Sequence, residues 1–111
     1  MKRMILGLLL AGVLAAGTMG EGSLDVAAAG TAKALAASQD VLWVIVQCND
    51  DNAGACFVGS QAVDSTSGVK LQPGDSVTLW AVGTAQHYNL ARIFVDVATN
   101  GDGVTYLWLS K

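Results

Sequence analysis

What this sequence withholds narrows its function before any motif is read. It has one proline and one histidine in 111 residues, and only 14% of its residues are charged. A soluble domain ordinarily carries about a quarter, so part of this surface is expected to be covered by something else. Basic runs are missing as well. Past residue 20 the cations are Lys33, Lys70, Arg92 and Lys111, scattered, against nine carboxylates, a balance of 4 − 9 = −5. With no patch to neutralise phosphates, nucleic acid is excluded as a direct partner. The lone histidine, His87, has no placed carboxylate or serine for acid–base work. G-x-S-x-G elbows, phosphate-binding loops, H-E-x-x-H and cysteine–histidine pairings do not occur. The inventory predicts a protein that is not an enzyme and uses no cofactor and no metal.

What is present is apolar and short-range in pattern. At 52% hydrophobic residues the chain is too apolar to be disordered, and its length makes one domain. Residues 1–20, MKRMILGLLLAGVLAAGTMG, place Lys2 and Arg3 before an uncharged run. That layout predicts an N-terminal apolar helix, either a secretory signal peptide or a retained membrane anchor. For the first, Ala15-Ala16-Gly17 supplies small residues at the positions a signal peptidase reads. For the second, residues 4–20 lie at the short end of the roughly 17–25 needed to cross a bilayer. Residues 21–111 are expected to form the folded domain.

There the periodicity is two. Val41–Cys48 (VLWVIVQC) is dense in β-branched and aromatic residues and predicts a strand. Asn49–Gly54 has turn composition, and Ala55–Gly59 returns, which predicts a hairpin. Further strands are expected at Ser23–Val26, Lys33–Ala36, Val69–Leu71, Ser76–Val82, Leu90–Ala98 and Val104–Leu109. Gln72-Pro73-Gly74-Asp75 is a turn with a mechanism: proline presets φ and glycine accepts φ > 0 after it. Asn100-Gly101-Asp102-Gly103 carries a hairpin signal. Short strands at regular spacing predict an all-β fold, a small antiparallel β-sandwich or a jelly-roll-like barrel.

Several strands are apolar on both sides. Val41, Trp43 and Ile45 alternate with Leu42, Val44 and Val46; Val104, Tyr106 and Trp108 alternate with Thr105, Leu107 and Leu109. A domain of about ninety residues is too small to cover both faces of every strand by itself. Neighbouring subunits covering the second face resolve this, so a homo-oligomer is expected. Interface candidates are Trp43, Trp80, Tyr88, Tyr106 and Trp108, because aromatics are enriched at interfaces, although for Trp80 core packing is the favoured expectation.

Cys48 and Cys56 flank the NDDNAGA segment. In an exported protein they are expected to pair, closing a short loop for about 2–3 kcal/mol; in a reducing compartment they would be two buried thiols. Asp96, Asn100 and Asp102 invite comparison with a calcium loop. Ala98 stands where a ligand is needed and no glutamate follows, so the segment reads as a turn.

The segment FVGSQAVDSTSGVKLQPGDSV (Phe57–Val77) resembles small β-sandwich structural proteins of bacteriophage virions. Their pattern is an aromatic-Val-Gly step, a V-[SD]-x-x-x-G loop and L-x-P-G-[DE]-S-V. These correspond here to Phe57-Val58-Gly59, Val63–Gly68 and Leu71–Val77. Ile93–Leu109 is similar to the same group's closing hairpin, while the apolar leader and the cysteine pair stand outside the pattern. The resemblance implies a minor capsid, decoration or spike component, with other virion proteins as partners and no catalytic residues. Its location would be the virion, membrane-associated if residues 4–20 hold it to lipid. The alternative is a secreted or periplasmic β-sandwich module that binds carbohydrate, with Trp43, Trp80 or Trp108 as its platform.

Overall fold

The computed structural model describes residues 17–83 and 86–110. These form nine strands: β1 Met19–Asp25, β2 Lys33–Ala34, β3 Asp40–Cys48, β4 Cys56–Gly59, β5 Val69–Leu71, β6 Ser76–Trp80, β7 Tyr88–Asn89, β8 Phe94–Val97 and β9 Gly103–Ser110. One sheet runs β1-β9-β3-β6, with β7 pairing to the start of β3; the second runs β2-β8-β4-β5. Every pairing is antiparallel. The architecture is an all-β fold of two packed sheets, as in a β-sandwich.

The pairings are nested. The first strand meets the last (β1·β9), then β2 meets β8, β3 meets β6, and β4 meets β5 at the centre. Among the described residues only β4 and β5 are a consecutive hairpin. This corrects two expectations from local turn chemistry. Val41–Cys48 and Ala55–Gly59 do not pair with each other, because the flanks of β3 are taken by β9 on one side and by β6 and β7 on the other. Asn100–Gly103 likewise links strands in different sheets, with β8 in one and β9 in the other. Both turns exist, but they carry the chain across the sandwich. The same holds at Gln72–Asp75, where Asp75 N–H donates to Gln72 C=O at 2.9 Å and Gly74 has φ 92°, the conformation that glycine tolerates without a Cβ clash.

Between the sheets lies a core dominated by valine. Val44, Val46, Val104 and Cys48 from the first sheet pack with Val58, Val95, Val97, Leu71 and Cys56 from the second. Leu90 and Ile93 close one end; the segment before Ile93, expected as strand, is a single 3-10 turn over Leu90–Arg92. Asn89 decides this, because its side-chain oxygen accepts from Ala91 N–H at 2.9 Å, a capping bond that competes with the ladder. Val41 also reaches the core, against the simple alternation that grouped it with Trp43. The register slips between Leu109, opposite Trp43, and Ser110, opposite Val41. Leu42 is therefore the extra residue of a β-bulge, and one extra residue reverses the facing of what precedes it.

Strand β1 begins at Met19, not past residue 20, with Met19 and Gly20 paired to Leu109 and Trp108. The expectation of a membrane anchor over residues 4–20 is corrected here. Among the described residues no helix is long and apolar enough to cross a membrane, and the end of the proposed span is strand. Without residues 17–20 the run from Met4 to Ala16 has 13 residues, short of the span requirement. The predicted N-terminal helix otherwise falls on residues 1–16, outside the described ones.

Tyr106 and Trp108 lie on the core side of β9, packed against the buried cluster. Opposite them stand Gly22 and Gly20. A Cβ at Gly22 would fall 2.6 Å from Tyr106 Cζ, and one at Gly20 would fall 2.7 Å from Trp108 Cη2. The glycines are the space in which the two rings lie across β1.

Cys48, ending β3 in one sheet, and Cys56, opening β4 in the other, are joined as a disulfide with Cα atoms 5.8 Å apart. The bridge ties sheet to sheet. Asn52 sits beside it, its amide nitrogen 3.2 Å from each sulfur and 2.8 Å from Gly103 C=O. Its oxygen accepts from Gly103 N–H at 3.1 Å. Asp102 accepts from Ala53 and Gly54 N–H, and Asn100 from Ala29 N–H. Asp96, 1% exposed, accepts from Gly30 and Val97 N–H, both at 2.8 Å. The side chains that invited a calcium reading spend their oxygens on backbone donors of neighbouring loops.

Three substitutions test this packing. Gly22→Ala is expected to destabilise the fold by about 1–3 kcal/mol through overpacking against Tyr106, with Ser23→Ala as a control within about 0.5 kcal/mol; urea unfolding followed by tryptophan fluorescence checks both. By the same assay Asn52→Ala is expected to cost about 1–3 kcal/mol by stranding the Gly103 N–H, while the Gly103 carbonyl keeps the Asn49 N–H as a donor. The double variant Cys48→Ala/Cys56→Ala is expected to cost about 2–3 kcal/mol.

Candidate functional site

The two outer faces of the sandwich are treated differently. On the second sheet the chain covers most of the outward side chains itself: Phe57 and Asp96 are buried and Phe94 half-buried, while Lys70, opposite Phe57, stays exposed. Val63 from the β4–β5 loop and Ala32 from the β1–β2 loop pack with Phe57 and Phe94, leaving Phe57 4% exposed. The β4–β5 loop is held in shape by Asp64, whose carboxylate accepts from the Thr66 hydroxyl at 2.6 Å and the Thr66 N–H at 2.8 Å. The Thr66 side-chain bond, then its backbone bond, lowers the Asp64 pKa below the ordinary 3.8.

No such cover lies over the first sheet among the described residues. Its registers align the outward side chains in rows across four strands. The first row is Met19, Leu109, Trp43 and Trp80; the second is Glu21, Leu107, Ile45 and Thr78; the third is Ser23, Thr105, Gln47 and Ser76. The face grades from apolar to polar along the strands. Six of its side chains are large and apolar: Met19, Leu109, Trp43, Trp80, Leu107 and Ile45. A shallow depression of about 620 Å³ runs over Glu21, Ile45, Gln47, Thr105 and Leu107. Glu21 is the one charged residue in the three rows. Of the six apolar side chains, Met19 and Trp80 are exposed and the other four half-buried, an apolar surface continuous across four strands of the kind that marks interaction sites.

Beyond the first row, where β6 ends, Trp80, Ala81, Val82, Gln86, His87 and Tyr88 line a second groove of about 370 Å³. Trp80 is 63% exposed and Val82 74%. At its edge Asp40 Oδ1 receives Asn89 Nδ2 at 2.8 Å and faces His87 Nε2 at 3.3 Å. Asn89 Nδ2 also meets Ser38 Oγ at 3.0 Å.

The five aromatic interface candidates are thus divided. Trp43 and Trp80 are direct cross-strand neighbours on the open face, and the core role weighed for Trp80 is overturned by its exposure. Tyr88 lines the groove. Tyr106 and Trp108 turn toward the core, so the three tryptophans do not make one platform. Sequence reasoning did not single out Met19, Ile45, Leu107 and Leu109 as site residues, although the two-sided apolar pattern of β3 and β9 was their signal. Nor did it pair His87 with Asp40, which the β3–β7 pairing brings together from distant parts of the chain. Comparison with protein-family models, with curated proteins and with solved structures yields no match.

Proposed function

We propose that this chain is a non-enzymatic structural subunit of a virion, of jelly-roll type, that assembles through the outer face of its first sheet. The observation that carries this reading is the open apolar face built by Ile45, Leu107, Leu109, Trp43 and Met19, next to a second sheet whose aromatic outer residues the chain covers with its own loops. A protein that covers one face and leaves the other apolar is shaped for a neighbour. The nested pairing of eight strands, alternating between two sheets, supports the jelly-roll assignment, and that architecture serves in viral capsids. Fold alone does not establish function. The likeness of Phe57–Val77 and Ile93–Leu109 to phage virion proteins adds the particular assignment. Other virion proteins and further copies of the chain are its partners in this reading. An inter-sheet disulfide suits a protein that ends outside the reducing cytosol.

The test has two arms. In sedimentation of the purified chain, the native protein is expected to be multimeric at micromolar concentration. Ile45→Lys/Leu107→Lys is expected to be monomeric with an unchanged circular dichroism spectrum, since both positions are half-buried on the outer face, where a long side chain carries its charged head into water. In a density gradient of particles from the source culture, the chain is expected to band with nucleic-acid-containing particles. A protein that is monomeric in both forms and found only free of particles would overturn the proposal.

A further inference from the structure

We infer that the groove at the end of β6 is a binding site for an uncharged carbohydrate, adjoining the face that assembles subunits and sharing Trp80 with it. The argument starts from three apolar surfaces left in solvent at one place. Trp80 and Val82 project from the end of β6 and its continuation, and Tyr88, 37% exposed, comes from β7. Exposed side chains of this size cost solvation free energy unless something covers them. An indole and a phenol ring present flat, amphipathic surfaces at low conformational cost, and the axial C–H face of a pyranose is a flat apolar surface that stacks on them.

The second part of the argument is polar. A sugar also requires planar groups that donate and accept in pairs, because each hydroxyl does both. The groove supplies an amide in Gln86, an imidazole in His87 and a phenol hydroxyl in Tyr88, with the Asp40 carboxylate at its edge. Two of these groups are positioned, since Asp40 is held by Asn89 and faces His87, and Asn89 in turn meets Ser38. A few convergent polar groups among apolar walls is the composition of a small-molecule site.

Charge selects the class of ligand. The lining contains no lysine or arginine to receive a carboxylate, sulfate or phosphate. The one carboxylate at the edge already has an amide and an imidazole as partners. A neutral hexose or a short neutral oligosaccharide meets both conditions.

The experiment uses the full chain on a glycan array carrying neutral and acidic oligosaccharides, followed by tryptophan-fluorescence titration with the strongest binder. At least one neutral glycan is expected to bind and to shift the emission. Trp80→Ala is expected to abolish binding and Gln86→Ala to weaken it about tenfold, with circular dichroism unchanged because both residues are exposed. Ile45→Lys/Leu107→Lys is expected to leave binding intact while removing assembly, so the two proposals can fail separately. No glycan bound, only acidic glycans bound, or binding that survives Trp80→Ala would each overturn the inference.

Discussion

The pairing of the last strand with the first and third is the constraint on which the rest of this molecule depends. Strand β9 lies between β1 and β3 and is hydrogen-bonded to both along nearly its whole length. It places Val104, Tyr106 and Trp108 over the core and Leu107 and Leu109 on the outer surface. The partners are distant in sequence, so the loop-closure entropy of most of the domain must be met before the sheet exists. The inter-sheet disulfide and the Asn52 bonds to Gly103 act at the end of this same strand, holding the β3–β4 loop to the point where β9 begins.

From that arrangement comes the asymmetry between the faces. Loops on the second sheet fold back over Phe57 and Phe94, and the buried Asp96 binds the β1–β2 loop through Gly30. Across the first sheet, β9 and β3 stand side by side in the middle with apolar residues pointing outward, and among the described residues no loop returns to cover them. Burial of that surface is a source of free energy that a second molecule can supply. The two ends of the sandwich differ as well. One is cross-linked by a disulfide and by carboxylate and amide bonds to loop backbones. The other, around Trp80 and His87, keeps aromatic and polar side chains in solvent.

Much of this was legible in advance. The strand segments at Val41–Cys48, Val69–Leu71 and Val104–Leu109 follow from β-branched and aromatic density, and the turn at Gln72–Asp75 from the requirements of proline and glycine. The two-sided apolar character of β3 and β9 pointed to an uncovered face. What escaped was partner choice. The Asn49–Gly54 and Asn100–Gly103 segments have the composition of hairpin turns, yet they bridge sheets, because φ and ψ in a turn do not state whether its flanking strands remain paired. The facing of Val41 escaped for a related reason, since a bulge at Leu42 is set by the register with β9 and leaves no mark in the residues themselves.

The sequence by itself determined where the chain extends, where it turns, and that more apolar surface exists than one small domain can bury. These properties are local, set by side-chain branching, by the period-two alternation of a strand, and by composition. Tertiary structure decided which strand lies beside which. It therefore decided that Tyr106 and Trp108 face inward over two glycines, that Cys48 and Cys56 join opposite sheets, and that Trp43 and Trp80 are neighbours in the open. Those outcomes depend on contacts between residues far apart in the chain, whose free energy exists only once both partners are in place.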